Sequence, residues 1–164
     1  FFLPAMAVSF AISPVAAQNF GARSAERVRQ TFRDGVLIGA VTMGLLMALC
    51  QWRGDVLIGF FTTDPMTIAI GLTFLHVVSW NFVFSGFIFA CSGLFQALGN
   101  TWPSVLASGT RLITFAAPAL YLSRMPGFEL KSLWHLSVTT VVLQALMAGW
   151  WARRELQKRL QFAP

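Results

Sequence analysis

The chain has 164 residues, of which 56% are hydrophobic and only 11% charged, with a mean hydropathy of +0.66. A soluble domain carries about 25% charged residues, so this composition excludes an ordinary water-soluble globule and requires lipid around it. A net charge of +6 would suit a nucleic-acid binder, but the cations fall in short clusters between long apolar stretches. There they act as topology signals, and no nucleic-acid partner is expected.

The sequence opens on Phe1-Phe2-Leu3-Pro4, already apolar, with no initiator Met, basic leader or small-residue cleavage site. It reads as part of a longer chain and not as a signal peptide. Crossing about 30 Å of hydrocarbon takes about 20 helical residues, and in lipid the helix satisfies its own backbone polar groups. Five segments have that length, at about 1–20, 31–52, 65–98, 102–122 and 133–151. The expected fold is an all-α, polytopic transmembrane bundle forming one membrane domain over 1–164.

Pro4 and Pro14 divide the first segment, each removing a backbone hydrogen bond. Arg23, Arg27, Arg29 and Arg33 follow it, and Arg153, Arg154, Lys158 and Arg159 follow the fifth segment. These eight cations predict cytoplasmic ends, against three (Arg53, Arg124, Lys131) in the links that must face outward. Segment parity gives the same orientation, with a cytoplasmic carboxy terminus. The third segment is longer than a bilayer requires, so it should tilt, project or break near Ser79-Trp80-Asn81. Gly99-Asn100-Thr101-Trp102-Pro103 reads as a short turn between antiparallel helices. Pro126-Gly127 reads as a second turn, with Trp134 beyond it at interfacial depth. After Trp150-Trp151, residues 153–160 continue at helical spacing as a basic amphipathic tail, either lying on anionic headgroups or forming a solvated helix end. Cys50 and Cys91 sit in apolar segments as packing residues, without metal-ligand spacing.

Gly86, Ala90, Gly93 and Ala97 are spaced four, three and four apart, which puts them on one helical face. Small residues let helices approach closely in lipid; the same smooth face would also let a helix slide during a transport cycle. Arg111 lies about nine residues into the fourth segment, about 13 Å from its start. A cation near the midplane costs about 2.5–3.5 kcal/mol, so it should face a cavity or a partner, or else snorkel toward a helix break near Pro118. Asn81, Gln144, His76 and the Ser/Thr residues of segments three to five are further candidates to line a wet path, with interhelical hydrogen bonding as the plainer role. No second His or Cys accompanies His76, so a metal site is not expected, and a proton relay there is a weaker option. Acidic residues occur only at segment ends and in linkers, and no nucleophile–base pair or phosphate loop is present. Neither an enzyme nor a bound cofactor is expected.

Three linkers carry more information. Ala17-Gln18-Asn19-Phe20-Gly21-Ala22 with the arginines after it, Phe60-Phe61-Thr62-Thr63-Asp64-Pro65, and Phe95-Gln96-Ala97-Leu98-Gly99-Asn100-Thr101 before Pro103 resemble linkers of the multidrug and toxic compound extrusion (MATE) family. Gln18, Asn19, Gly21, Gln96, Gly99 and Asn100 are the motif positions. The resemblance extends over the whole chain and implies helices eight to twelve of twelve, the carboxy-terminal lobe of a two-lobe inner-membrane antiporter. Such a protein exchanges organic cations or drugs for protons or sodium ions, and the amino-terminal lobe would be the partner of this one. Some sodium-coupled relatives have a membrane-embedded acid near the position of Ser85 and Gly86, and this chain has none there. Sodium coupling through this lobe is therefore not expected, and a proton-coupled member using an acid of the amino-terminal lobe would fit, with the coupling ion left open between proton and sodium. A lipid-linked or polysaccharide flippase and a non-transporting scaffold are the alternatives to an exporter.

Overall fold

A computed structural model describes residues 2–125 and 128–161. Phe1, at the start of the first expected segment, and the expected Pro126-Gly127 turn lie outside the described residues. The described chain is helical in six pieces: α1 (Leu3–Gly21), α2 (Ala25–Gly59), α3 (Pro65–Val78), α4 (Trp80–Ala97), α5 (Trp102–Leu122) and α6 (Leu130–Arg159). The polytopic helix bundle is as expected, but four helices, not five, are long and apolar enough to cross a membrane alone: α2, α4, α5 and α6. In α1, prolines, serines and the Gln18-Asn19 end dilute the apolar content. The third expected segment breaks at Ser79, leaving α3 as a 14-residue helix joined to α4 by one residue.

Several boundaries move for local reasons. Pro4 opens α1 at its first turn and does not divide it, because the missing N–H of a first-turn proline has no intrahelical partner to lose. Pro14 and Pro118 lie inside continuous helices. Arg27, Arg29 and Arg33 belong to the opening turns of α2 and not to a linker. At its other end α2 passes through a kink at Arg53 (φ −128°, ψ 31°) and runs on to Gly59. Next to that kink, a Cβ on Gly54 would meet Leu72 and Leu75 at 3.1 and 3.2 Å, so the missing side chain is where α3 seats.

The helix ends account for the linker motifs. Arg23 (φ 55°) and Gly99 (φ 69°) adopt left-handed backbone just past α1 and α4. The N–H of Ser24 donates to Asn19 O and that of Asn100 to Phe95 O, both at 3.0 Å. Both turns are Schellman closures, which satisfy the last carbonyls of a helix. Glycine adopts that backbone freely at 99, whereas Arg23 does so against a Cβ clash. Gly21 has ordinary helical backbone and open space around it, and nothing in the structure explains the glycine. In the linker between α2 and α3, Asp64 caps α3: its carboxylate accepts from the backbone N–H of Thr67 at 2.9 Å and from the Thr67 hydroxyl.

Helix α4 is the centre of the bundle, flanked by α1, α2 and α6. Its small-residue face meets backbone directly. A Cβ on Gly93 would lie 2.6 Å from the Ser9 carbonyl oxygen of α1, and one on Gly86 would lie 3.1 Å from the Gly39 oxygen of α2. Ala90 and Ala97 are buried on the same face, and Ala90, Ala97, Ile12 and Ala16 form one apolar cluster. A second cluster gathers Met43, Cys50 and Phe82, and a third gathers Cys91, Leu94, Phe95 and Leu98 with residues of α6. Both cysteines are therefore free, buried packing residues. On the outer surface Leu37, Ile113 and Leu146 are largely exposed, as lipid-facing residues are.

The tail after Trp151 is helical with an exposed basic face, as its spacing predicts, but its other face is packed and not solvated. It is the unbroken end of α6, and its Ala152, Glu155 and Leu160 are buried against the bundle. Arg159 pairs with Glu155 at 2.9 Å and donates to Leu98 O at 2.9 Å. A cation thus sits on the carbonyl end of α4, where the helix dipole favours it. Arg153, Arg154 and Lys158 remain exposed on the other face.

Replacing Gly93 by Ala forces α1 and α4 apart and should cost about 1–3 kcal/mol. Gly44→Ala, in the interior of α2 with nothing within 4 Å, should instead gain up to about 1 kcal/mol. Denaturant unfolding in detergent checks both. The bonds from Thr67 hold the Asp64 carboxyl below the usual carboxylate range. A depressed pKa means the cap persists above the ordinary carboxylate pKa and is lost as pH falls through the lowered value. Amide exchange at Thr67, corrected for its intrinsic rate, should stay slow until that acid limit and should be fast at neutral pH in Asp64→Ala.

Candidate functional site

On the side of α4 away from its small-residue face, α4, α5 and α6 enclose a cavity of about 270 Å³. Ser85, Ser92 and Phe95 enter it from α4, while Ser104, Ala107, Ser108 and Arg111 enter from α5 at spacings of three, one and three, a single helical face. Gln144 and Ala148, one turn apart on α6, complete the wall, and Phe2 lies at one edge. An adjoining cavity of about 330 Å³ shares Ser108, Arg111 and Gln144 and extends past Phe115 to Ser137.

The polar groups here are incompletely paired. Ser104 donates to Ser92 at 3.3 Å, and the Gln144 amide N–H reaches Ser108 at 3.5 Å, the outer limit of a hydrogen bond. The Gln144 Oε1 is buried with no donor, on a residue only 6% exposed. Asn81 donates to Ser137 at 3.2 Å across α4 and α6, and its Oδ1 is likewise buried without a partner. A buried orphan acceptor costs about 1–3 kcal/mol. The Arg111 guanidinium, half-buried at the wall, has no hydrogen bond or ion pair among the described residues. Its own carbonyl accepts from the Thr114 hydroxyl at 3.2 Å, a hydroxyl that also reaches Thr110 O at 2.8 Å. The cavity therefore offers a fixed positive donor, one surplus buried acceptor and serine hydroxyls that can do either.

The structure brings Arg111 and Gln144 together, puts Asn81 beside them through Ser137, and leaves His76 apart. The His76 side chain is exposed, and its carbonyl accepts from Gln51 at 2.9 Å in a bridge that also reaches the Ser79 hydroxyl at 3.0 Å. Gly86, Ala90, Gly93 and Ala97 lie on the opposite, packed face. Gln18, Asn19, Gly21, Gln96, Gly99 and Asn100 are grouped at helix ends. There Asn19 donates to Val15 O at 2.9 Å, and Gln96 reaches Ser92 at 3.5 Å. Sequence reasoning named the serines only as a group, among the Ser/Thr residues of segments three to five expected along a wet path, and did not use the helical face that Ser104 and Ser108 share with Arg111. It also missed the Gln51 bridge and the Glu155–Arg159 pair, the latter visible as opposite charges four apart.

Fold and cavity together define a multi-pass helical membrane protein with a polar chamber inside its bundle. The family pattern of MatE matches residues 1–122, from the start of α1 to the end of α5, and the chain belongs to that family. It is 22% identical over 165 residues to "Probable multidrug resistance protein YoeA" of Bacillus subtilis (strain 168), covering 97% of this chain and 36% of that protein. It is 30% identical over 95 residues to "Probable multidrug resistance protein NorM" of Rhodopseudomonas palustris (strain ATCC BAA-98 / CGA009), covering 58% of this chain and 20% of that protein. The chain thus spans about a third of the first relative and a fifth of the second. No solved structure matches it.

Proposed function

We propose that this chain is the carboxy-terminal lobe of a secondary multidrug exporter. In this reading an amino-terminal lobe of the same polypeptide faces it across a central chamber. The two lobes alternate access between the membrane's sides and expel drugs or organic cations in exchange for an inward ion. The observation that carries the reading is the MatE match across five consecutive helices, together with the multidrug resistance names of both relatives. The basic clusters near the α1–α2 junction and the end of α6 favour a cytoplasmic position for that end in a cell inner membrane. Among the described membrane-depth residues of α4 to α6 none is acidic, so proton coupling through an acid of the other lobe fits better than sodium coupling here. Gly86, Ala90, Gly93 and Ala97 would then be the face against which α1 and α2 adjust during the cycle.

A second reading, a flippase for lipid-linked substrates, is favoured by one feature: an unpaired Arg111 suits a phosphate headgroup. The two readings separate in cells expressing the complete protein, loaded with ethidium, with proton and sodium gradients collapsed in turn. The exporter reading predicts efflux that stops when the proton gradient is collapsed and persists without sodium. No efflux under any gradient contradicts it and moves the flippase ahead.

A further inference from the structure

The export reading names drugs or organic cations for the whole exporter and does not say what binds in this lobe's own cavity. We infer that the cavity between α4, α5 and α6 is a binding site for a small amphipathic organic anion, a carboxylate with a hydrogen-bond donor beside it, held by Arg111 and Gln144.

Three independent features support this. The first is charge: the lining includes one cation, Arg111, and no acid. Its guanidinium has no partner among the described residues although its surroundings are an apolar bundle. An unneutralised cation at that depth repels a cationic ligand and attracts an anion, more strongly than it would in water. A carboxylate matches the planar fork of guanidinium N–H donors.

The second is the orphan acceptor. Gln144 is 6% exposed, and its Oε1 has no donor. An anion alone would leave that oxygen unsatisfied, so the complementary ligand also carries a hydroxyl or N–H group near its carboxylate. The serines tolerate either polarity because a hydroxyl both donates and accepts. The third is the wall. Ile88, Phe89 and Phe95 line the same space as the polar groups, which suits a flat apolar body. Water alone fills such a cavity but leaves the charge of Arg111 unbalanced.

The inference rests on reading this bundle as a ligand-handling lobe, but it concerns binding and requires no ion gradient. The test is equilibrium dialysis of the purified full-length protein against radiolabelled salicylate, which carries an aromatic ring, a carboxylate and an adjacent hydroxyl. Its neutral alcohol counterpart, 2-hydroxybenzyl alcohol, is measured alongside. Salicylate should bind about tenfold or more tightly than the alcohol. Arg111→Gln should remove that preference and Arg111→Lys should keep part of it, while Gln144→Leu should weaken salicylate binding. Because Arg111→Gln deletes a costly buried cation, it should fold at least as stably as the parent, and an unfolding curve checks this.

Equal binding of the two compounds, or salicylate affinity unchanged in Arg111→Gln, overturns the inference. So does no salicylate binding to the parent protein, the outcome expected if a carboxylate elsewhere in the full polypeptide already neutralises Arg111. Ethidium export without salicylate binding would sink this inference and leave the transport reading standing. Salicylate binding without export would do the reverse.

Discussion

The bundle depends on the contact of α4 with the backbones of α1 and α2. Within lipid there is little hydrophobic drive to bring helices together, so association relies on close packing and on polar contacts. Gly93 against the Ser9 carbonyl and Gly86 against Gly39 allow that closeness, because a methyl group at either glycine would press on backbone atoms that cannot swing aside. Dispersion is small per atom pair and adds up only where surfaces touch over their whole length. With one face of α4 committed to this seam, its other face, carrying Ser85, Ser92 and Phe95, is turned toward α5 and α6. The polar cavity is thus a geometric consequence of where the small residues lie.

Polar groups in a membrane protein need partners, and here most of them have found one. Gln51 bridges the break between α3 and α4, Asn81 ties α4 to α6 through Ser137, and Arg159 joins Glu155 and the end of α4. These contacts knit helices together at points where a helix ends or bends. Arg111 and the Gln144 Oε1 belong to no such tie. They occur together, on facing helices and around a common space, which separates them from groups whose role is structural. Edge-on contact of Phe74 with Trp134, centroids 5.4 Å apart, joins α3 to α6.

Much of the architecture was legible in the sequence because it is written locally. Apolar run length gives the helices, the polar triplet at 79–81 marks the break, and the four-three-four spacing from Gly86 to Ala97 marks the packed face. The motif linkers were readable as functional signatures, yet two of the three act here as helix closures and the third as the cap of α3. What was not legible depends on which helices become neighbours. His76 and Arg111 looked alike as polar groups at depth, but only the second shares a cavity with Gln144. The basic tail looked like a surface element because its arginines are obvious, whereas Ala152 and Leu160, which fix it to the bundle, carry no distinctive signal. The cavity itself required three helices to converge, and no single segment encodes that.

The polar cavity requires a water-accessible chamber behind α4, walled by α5, and cysteine labelling tests for that chamber most directly. In the full-length protein in membranes, with Cys50 and Cys91 replaced by Ala, single cysteines are placed at Ser108, which lines both cavities, and at Ile113, which faces outward. A charged, membrane-impermeant maleimide should react with the cysteine at 108 and leave the one at 113 untouched. Labelling at 113 with 108 protected would contradict the account, because it would place water on the outer face of α5 and lipid or packed protein in the chamber.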